Sequence, residues 1–224
     1  MKVLRIFSEF SAVLLLVAFS SLYLDAPVAL FFHHLVMSQA VLRKYTAHLP
    51  DLLLPIVAVI TAGCWMTLLA CLVRPVRWVC MRFMLVCGVS VPLAYVAKAV
   101  LQYTFGRVNP RTWFLHPDLA GFHWFYAHAG FASFPSGHMT VFVALAAVLW
   151  RYYPRFRFVY VASAVALGLA LVATNYHFVS DVVAGTYLGF VVSRVCDAGL
   201  IGIFRFYRAR VSGSAPPSAV RVGD

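Results

Sequence analysis

Apolar residues run along this chain in six blocks, at about residues 6–24, 51–73, 79–101, 137–153, 158–176 and 182–204. Each is close to the ~20 residues an α-helix needs to cross a hydrocarbon layer. The pattern predicts an all-α, polytopic membrane bundle of six transmembrane helices. Between the first two blocks, Pro27, Phe31, Phe32, His33, His34, Arg43 and Lys44 mix apolar and basic character. That stretch suits either a helix lying at the membrane interface or a plain connecting loop. From Thr104 to Ser136 a longer connection carries Trp113, His116, Phe122, His123, Trp124, Phe125, Tyr126, His128, Phe131 and Phe134. Long connections without secondary structure of their own tend to carry function. After Val211 the chain turns polar and Pro-rich, so 1–211 is expected to form the membrane domain and 212–224 a disordered cytoplasmic tail.

Composition narrows the class. Of 224 residues, 63% are hydrophobic and only 11% charged, and the mean hydropathy is +0.87. A soluble domain carries about a quarter charged residues, so an ordinary globular enzyme, a disordered chain and a nucleic-acid module are excluded. The net charge of +11 does not restore a nucleic-acid partner, because the basic residues fall in short clusters beside apolar blocks. Lys2 and Arg5, Arg74 to Arg82, Arg151 to Arg157 and Arg205 to Arg210 collect on one side of a six-span arrangement; Arg43, Lys44, Lys98, Arg107 and Arg111 fall on the other. The positive-inside rule then puts both termini in the cytoplasm and the aromatic loop outside. The start Met-Lys-Val-Leu-Arg resembles a signal peptide without a convincing small-residue cleavage site, so an uncleaved first span is expected. Cys64, Cys71, Cys80, Cys87 and Cys196 lie in or beside apolar blocks without metal-site spacing and read as packing residues.

Three places on the predicted outer side carry chemistry. Lys98, Gln102, Arg107, Asn109 and Arg111 cluster at and just beyond the end of the third block. Guanidinium and ammonium groups bind phosphate oxygens, although such residues also serve simply as topology or headgroup anchors. Ser133-Phe134-Pro135-Ser136-Gly137-His138 opens the fourth block, where Ser136 suits a helix cap and Gly137 allows close backbone approach. Free N–H groups there favour an anion, with His138 in the first turn. Asn175-Tyr176-His177-Phe178-Val179-Ser180-Asp181 joins the fifth and sixth blocks, with His177 and Asp181 four apart. If helical geometry runs through both, they share a face, and the carboxylate can hold one imidazole nitrogen while the other attacks. The plainer alternative makes Asp181 a helix cap and His177 an interfacial polar group. Together the three places supply what phosphoryl transfer needs: donors for the equatorial oxygens, an in-line nucleophile and an acid.

On these residues the sequence resembles the phosphatidic acid phosphatase type 2 superfamily over about residues 95–190. Its anchors are Phe134-Pro135-Ser136-Gly137-His138, then His177 with Asp181; Phe105-Gly106-Arg107 and Asn109-Pro110 look like the family's first motif. The resemblance implies that His177 is the nucleophile, Asp181 its orienter and His138 the acid for the leaving oxygen. Arg107, Ser136 and Gly137 would cradle the phosphate. Gln102 and Asn109 stand where the first motif ordinarily has its lysine and arginine, and Leu171 stands where the third has an arginine; Lys98 and Arg111 are the cations available to replace them. The implied activity is that of a metal-independent lipid phosphatase forming a phosphohistidine at the outer face of a bacterial inner membrane, its active site periplasmic. Its partners would be a lipid phosphate and the bilayer, with no cofactor, no metal and no nucleic acid; oligomeric state is left open. Asp181 is the one carboxylate expected at that face, where a two-metal phosphatase needs several. The alternatives are a lipid phosphotransferase using the same residues and an inert protein that binds or transports an anion. A haloperoxidase is set aside because six spans leave no soluble helical shell.

Overall fold

The computed structural model describes residues 2–37, 53–71, 78–126 and 130–211. Helix α1 (Lys2–Phe19) continues through a π-helical turn (Ser20–Leu24) into α2 (Asp25–Met37). Then come α3 (Leu53–Cys71), α4 (Trp78–Phe105), the short α5 (Pro110–Leu115), α6 (Gly137–Tyr152), α7 (Arg157–Ala173) and α8 (Val179–Val211). The structure is an all-α membrane bundle, and each of the six predicted blocks is found as an apolar helix. Four segments are long and apolar enough to cross a membrane: Leu4–Leu35, Cys80–Phe105, Pro154–Ala173 and Val179–Gly202. Pro55–Leu69 and Gly137–Tyr152 are shorter. The 16 residues of α6 rise ~24 Å, against a hydrocarbon thickness of ~30 Å. The short helix leaves its N-terminal turn within the bundle: Ser136, Gly137 and His138 are all buried.

Two expectations need correction. The stretch around Pro27 to His34 is neither an interfacial helix nor a loop, because the first helix runs on through it to Met37. The π turn widens the backbone just before Pro27, where the proline ring would otherwise press on the preceding turn. Arg43, Lys44, His128 and the 212–224 tail lie outside the described residues. The long connection is also more ordered than expected: Thr104 and Phe105 complete α4, α5 and a 3₁₀ turn (Pro117–Leu119) follow, and Arg107 bridges to Phe122 and Ala132.

Helix α8 lies against α1, α4 and α6, and its most extensive packing is on α6. The reason is a pair of small residues four apart, Gly185 and Gly189. A Cβ at Gly185 would lie 2.5 Å from the Ser136 carbonyl oxygen, and one at Gly189 would collide with the Thr140 carbonyl oxygen and come within 2.9 Å of the Ala144 nitrogen. Small residues at this spacing let two helix backbones touch in a bilayer, where no hydrophobic effect drives helices together. Around this contact lie a core of Val57, Cys64, Val86, Cys87, Val91, Val141, Leu145 and Val148, and smaller clusters joining Ala94 to Ala144 and Met139 to Leu171. Cys64, Cys87 and Cys196 thus serve as core packing. Large apolar side chains point outward from the peripheral helices, among them Leu15, Leu22, Phe158 and Leu169, the pattern expected of a lipid-facing surface. Away from the Ser136 end, Asp197 of α8 accepts from Arg82 of α4 (2.9 Å) and pairs with Arg151 of α6 (2.6 Å), tying the three central helices together.

Gly189→Ala should therefore destabilise the protein by ~1–3 kcal/mol, the scale of overpacking a tight contact. Gly199→Ala, where an added Cβ meets nothing within 4 Å, should be neutral or slightly stabilising. Thermal unfolding in detergent compares the two, and equal midpoints would show that the α6–α8 contact tolerates a methyl group.

Candidate active site

Two helix N-termini meet at one end of the bundle. At the start of α6 the Phe134–Pro135 peptide is cis, and Ser136 caps the helix, its hydroxyl accepting from Met139 N (3.4 Å). The Ser136 N–H donates to the Asp181 carbonyl oxygen (3.0 Å), so the backbones of the two starts are joined directly. The second start follows a reversal at the end of α7. Asn175 takes a left-handed conformation (φ 55°), and the N–H groups of Tyr176 and His177 donate to Leu171 O at 2.9 and 3.2 Å. With its amide oriented to satisfy both groups, Asn175 donates to Ala29 O and accepts from His33 N, pinning the reversal to α2.

His177 precedes α8, which begins at Val179, so no shared helical face joins it to Asp181. Their relation comes from capping. Asp181, in the third helical position, reaches back to accept the Phe178 N–H (3.0 Å) with Oδ2, as the acidic member of a capping box does. The same Oδ2 accepts from the Ser133 hydroxyl (2.6 Å) and lies 3.6 Å from His177 Nδ1. Ser133 Oγ is itself 3.3 Å from that nitrogen. Since the Ser133 proton goes to Asp181, the hydroxyl oxygen is left to accept Nδ1–H, which leaves Nε2 of His177 with its lone pair. Asp181 is therefore both the helix cap and a neighbour of the imidazole, with Ser133 bonded to both. Ser133 went unassigned in the sequence because a serine in a loop carries no signal of its own.

A cavity of about 260 Å³ opens beside these groups, lined by His177, His138, Ser133, Gly137, Lys98 and Gln102 together with Asn109, Gly130, Ala132 and Tyr176. The two imidazole centroids are 5.8 Å apart. Lys98 lies along the start of α6, so closely that a Cβ at Gly137 would meet its Cδ at 3.1 Å and its Nζ at 3.3 Å. Its ammonium donates to Gln102 Oε1 (3.3 Å), and Gln102 Nε2 donates to Pro135 O (3.0 Å). Asn109 caps α5 through Thr112 N (2.8 Å), and Leu171 is fully buried against Met139 and Val143.

The remaining expected residues are placed differently. Arg107 is buried between the rings of Phe122 and Phe178, donating through Nη1 to Asp181 Oδ1 and Ser180 Oγ and through Nη2 to Asp25 Oδ2, each at 2.7 Å. Arg111 stacks on Tyr176 and donates twice to Thr174 O, behind the ring that lines the cavity. Ser136 turns its hydroxyl to the α6 cap. The expectation of a single carboxylate at this face is overturned by Asp25, which reaches the same cluster from the first helix. Among the described residues no three His, Cys, Asp or Glu side chains are gathered to hold a metal ion.

Comparison with known proteins gives the family. The family model of the PAP2 superfamily matches residues 83–199. Two lipid A 1-phosphatases, from Rhizobium etli and Rhizobium johnstonii, are 38% and 37% identical over 90 residues, a stretch covering 40% of this chain and 38% and 36% of theirs. The match thus spans well under half the length of either relative. A transmembrane PAP2 type phosphatidylglycerolphosphate phosphatase from Bacillus subtilis superposes with a TM-score of 0.47 at 21% identity, over 88% of this chain and 98% of that one. With the family model covering more than half of its residues, His138, His177 and Asp181 among them, the chain belongs to the PAP2 superfamily.

Proposed function

We propose that this protein is a metal-independent lipid phosphatase working through a phosphohistidine at the outer face of a bacterial inner membrane, with both termini cytoplasmic. The observation that carries this reading is the cavity where His177, His138, Lys98 and the N-terminus of α6 face one another. His177 Nε2 attacks phosphorus in line, the N–P bond forming as the bond to the lipid oxygen breaks. His138 gives its proton to that departing oxygen. The N–H groups of the α6 start and the Lys98 ammonium hold the equatorial oxygens, where charge develops. Neutral His138 then takes a proton from water, which attacks the phosphohistidine and releases inorganic phosphate. Arg107 acts from behind Asp181.

An apolar groove of about 510 Å³ between α1, α4 and α8 ends against Phe134 and Pro135, next to the α6 start. It offers the chains of a lipid a path at the depth of the site. The names of the Rhizobium relatives make lipid A 1-phosphate the first substrate to test, beside phosphatidic acid, phosphatidylglycerol phosphate and undecaprenyl diphosphate.

His177→Ala should abolish phosphate release while leaving a folded protein, and Asp181→Asn should keep a small residual rate because the nucleophile remains. Chelators should leave the wild-type rate unchanged. Full activity in His177→Ala, or inactivation by a chelator with reversal by one divalent metal, would contradict the mechanism.

Lys98→Ala should lower kcat/KM by ~10- to 100-fold, the scale of one lost charged hydrogen bond of 1.5–3 kcal/mol. Gln102→Lys in that background should restore much of the rate, since the new ammonium enters the same cavity one turn along α4. Steady-state kinetics on the single and double variants checks both; wild-type kinetics in Lys98→Ala would make this lysine an anchor only.

For orientation, reporter fusions after Leu115 and after Arg155 should report opposite sides of the membrane, the first periplasmic. The same side for both would remove the outer-face placement.

A further inference from the structure

Asp25 sits in the first helix, most of whose apolar span faces outward, and yet is 4% exposed. An ionisable side chain inside an apolar span is costly unless it meets a partner, and is by default a functional candidate. Three features show how this one is held. It ends the π turn, its N–H donating to Ser20 O rather than to the carbonyl four residues back; an inserted residue of this kind re-aims the side chains that follow. Its Oδ1 accepts the Ser180 N–H (2.9 Å), satisfying a donor in the first turn of α8 that the helix cannot satisfy itself. Its Oδ2 accepts the Ser180 hydroxyl and Arg107 Nη2. Asp25 also lies outside the residues matched by the family model, which begins at 83.

The geometry points to Asp25 as a positioning residue for the nucleophile, acting through Arg107 and Asp181; this rests on the phosphohistidine reading. A guanidinium prefers to grip one carboxylate with two parallel bonds. Here the fork is split: Nη2 goes to Asp25, and only Nη1 reaches Asp181, at Oδ1. The split leaves Asp181 Oδ2 for Ser133, Phe178 N–H and the Nδ1 side of His177. Without the Asp25 charge the fork is free to turn both arms onto Asp181, displacing Ser133 and loosening the imidazole. A second carboxylate also leaves the Asp25–Arg107–Asp181 group with one net negative charge, which favours positive charge growing on His177 as it attacks. Ser180, bonded to both Asp25 and Arg107, locks the split in place.

The test is Asp25→Asn in the full-length protein, with dioctanoyl phosphatidic acid and lipid A as probes and thermal unfolding measured in parallel. Asparagine keeps an oxygen for the Ser180 N–H but loses the charge that holds Arg107. The expected result is a kcat lower by ~10- to 100-fold with KM within about twofold of wild type. Asp25→Asn in an Asp181→Asn background should add nothing further, because both act on one imidazole. A folded Asp25→Asn with wild-type kcat, a change confined to KM or to thermal stability, or losses that multiply in the double variant would overturn the inference. Where Asp25→Asn does not fold, Ser180→Ala carries the test, with a several-fold loss of kcat at unchanged KM expected and a wild-type kcat overturning it. Wild-type protein inactive on both probes, with His177→Ala indistinguishable from it, would remove the phosphatase reading together with this one; an active wild type and an unaffected Asp25→Asn would remove this one alone.

Discussion

The backbone contact between α6 and α8 is the constraint on which the site depends. On the proposed reading, the start of α6 binds phosphate and His177, just before α8, attacks it, and such groups are useful only if held to fractions of an ångström. Loops alone do not give that precision. Here two helices approach until side chains are excluded at Gly185 and Gly189, and the Ser136 N–H then reaches the Asp181 carbonyl. The contact reaches Ser136 itself, so any separation of the helices is felt at the neighbouring histidines. Asp197 with its two arginines closes the same three central helices toward the other end, where no group of the site depends on the spacing.

The second constraint is electrostatic. Arg107, Asp25 and Asp181 are all buried, and burying charge costs about as much as the ion pairs return. Stability does not explain the cluster. What it supplies is direction: each carboxylate oxygen and each guanidinium arm has an assigned partner, with the faces of Arg107 covered by Phe122 and Phe178. Of the aromatic residues that made the long connection look functional, Phe122 covers one face of Arg107, and none of those described lines the cavity.

Much of this was legible in the sequence, for reasons that also explain what was not. Spanning helices must satisfy their backbones internally, so length and apolarity betray them without tertiary information; four of the six blocks are helices long enough to span, and the other two are shorter apolar helices. The Phe-Pro-Ser-Gly-His stretch and the His177–Asp181 spacing were visible because helix starts have local chemistry. Asp25 was passed over because one carboxylate between apolar runs reads as a boundary, and its partners lie 82 and 155 positions away. The His177–Asp181 approach expected from a shared helical face comes instead from capping, at 3.6 Å and with Ser133 bonded to both, because α8 begins two residues after the histidine. Gly185 and Gly189 were passed over, because two glycines four apart in an apolar block do not name a partner helix.

The positions where the family's usual cations are missing are reused rather than vacant. Asn109 spends its side chain capping α5, the helix that places Arg111 against Tyr176. Leu171 fills the core under the reversal, and its carbonyl takes the N–H groups of both Tyr176 and His177, so an arginine there would need a different path out of the packed interior. Gln102 bonds the Pro135 carbonyl and receives Lys98. One ammonium, from a residue one turn earlier on α4 and laid along the glycine that opens α6, lines the cavity. That ammonium is held by the Gln102 amide and lies over the Tyr95 ring. On the proposed reading, a cation set altered at three positions is still compatible with one phosphate site, because charge is needed at a place in space and not at a place in the sequence.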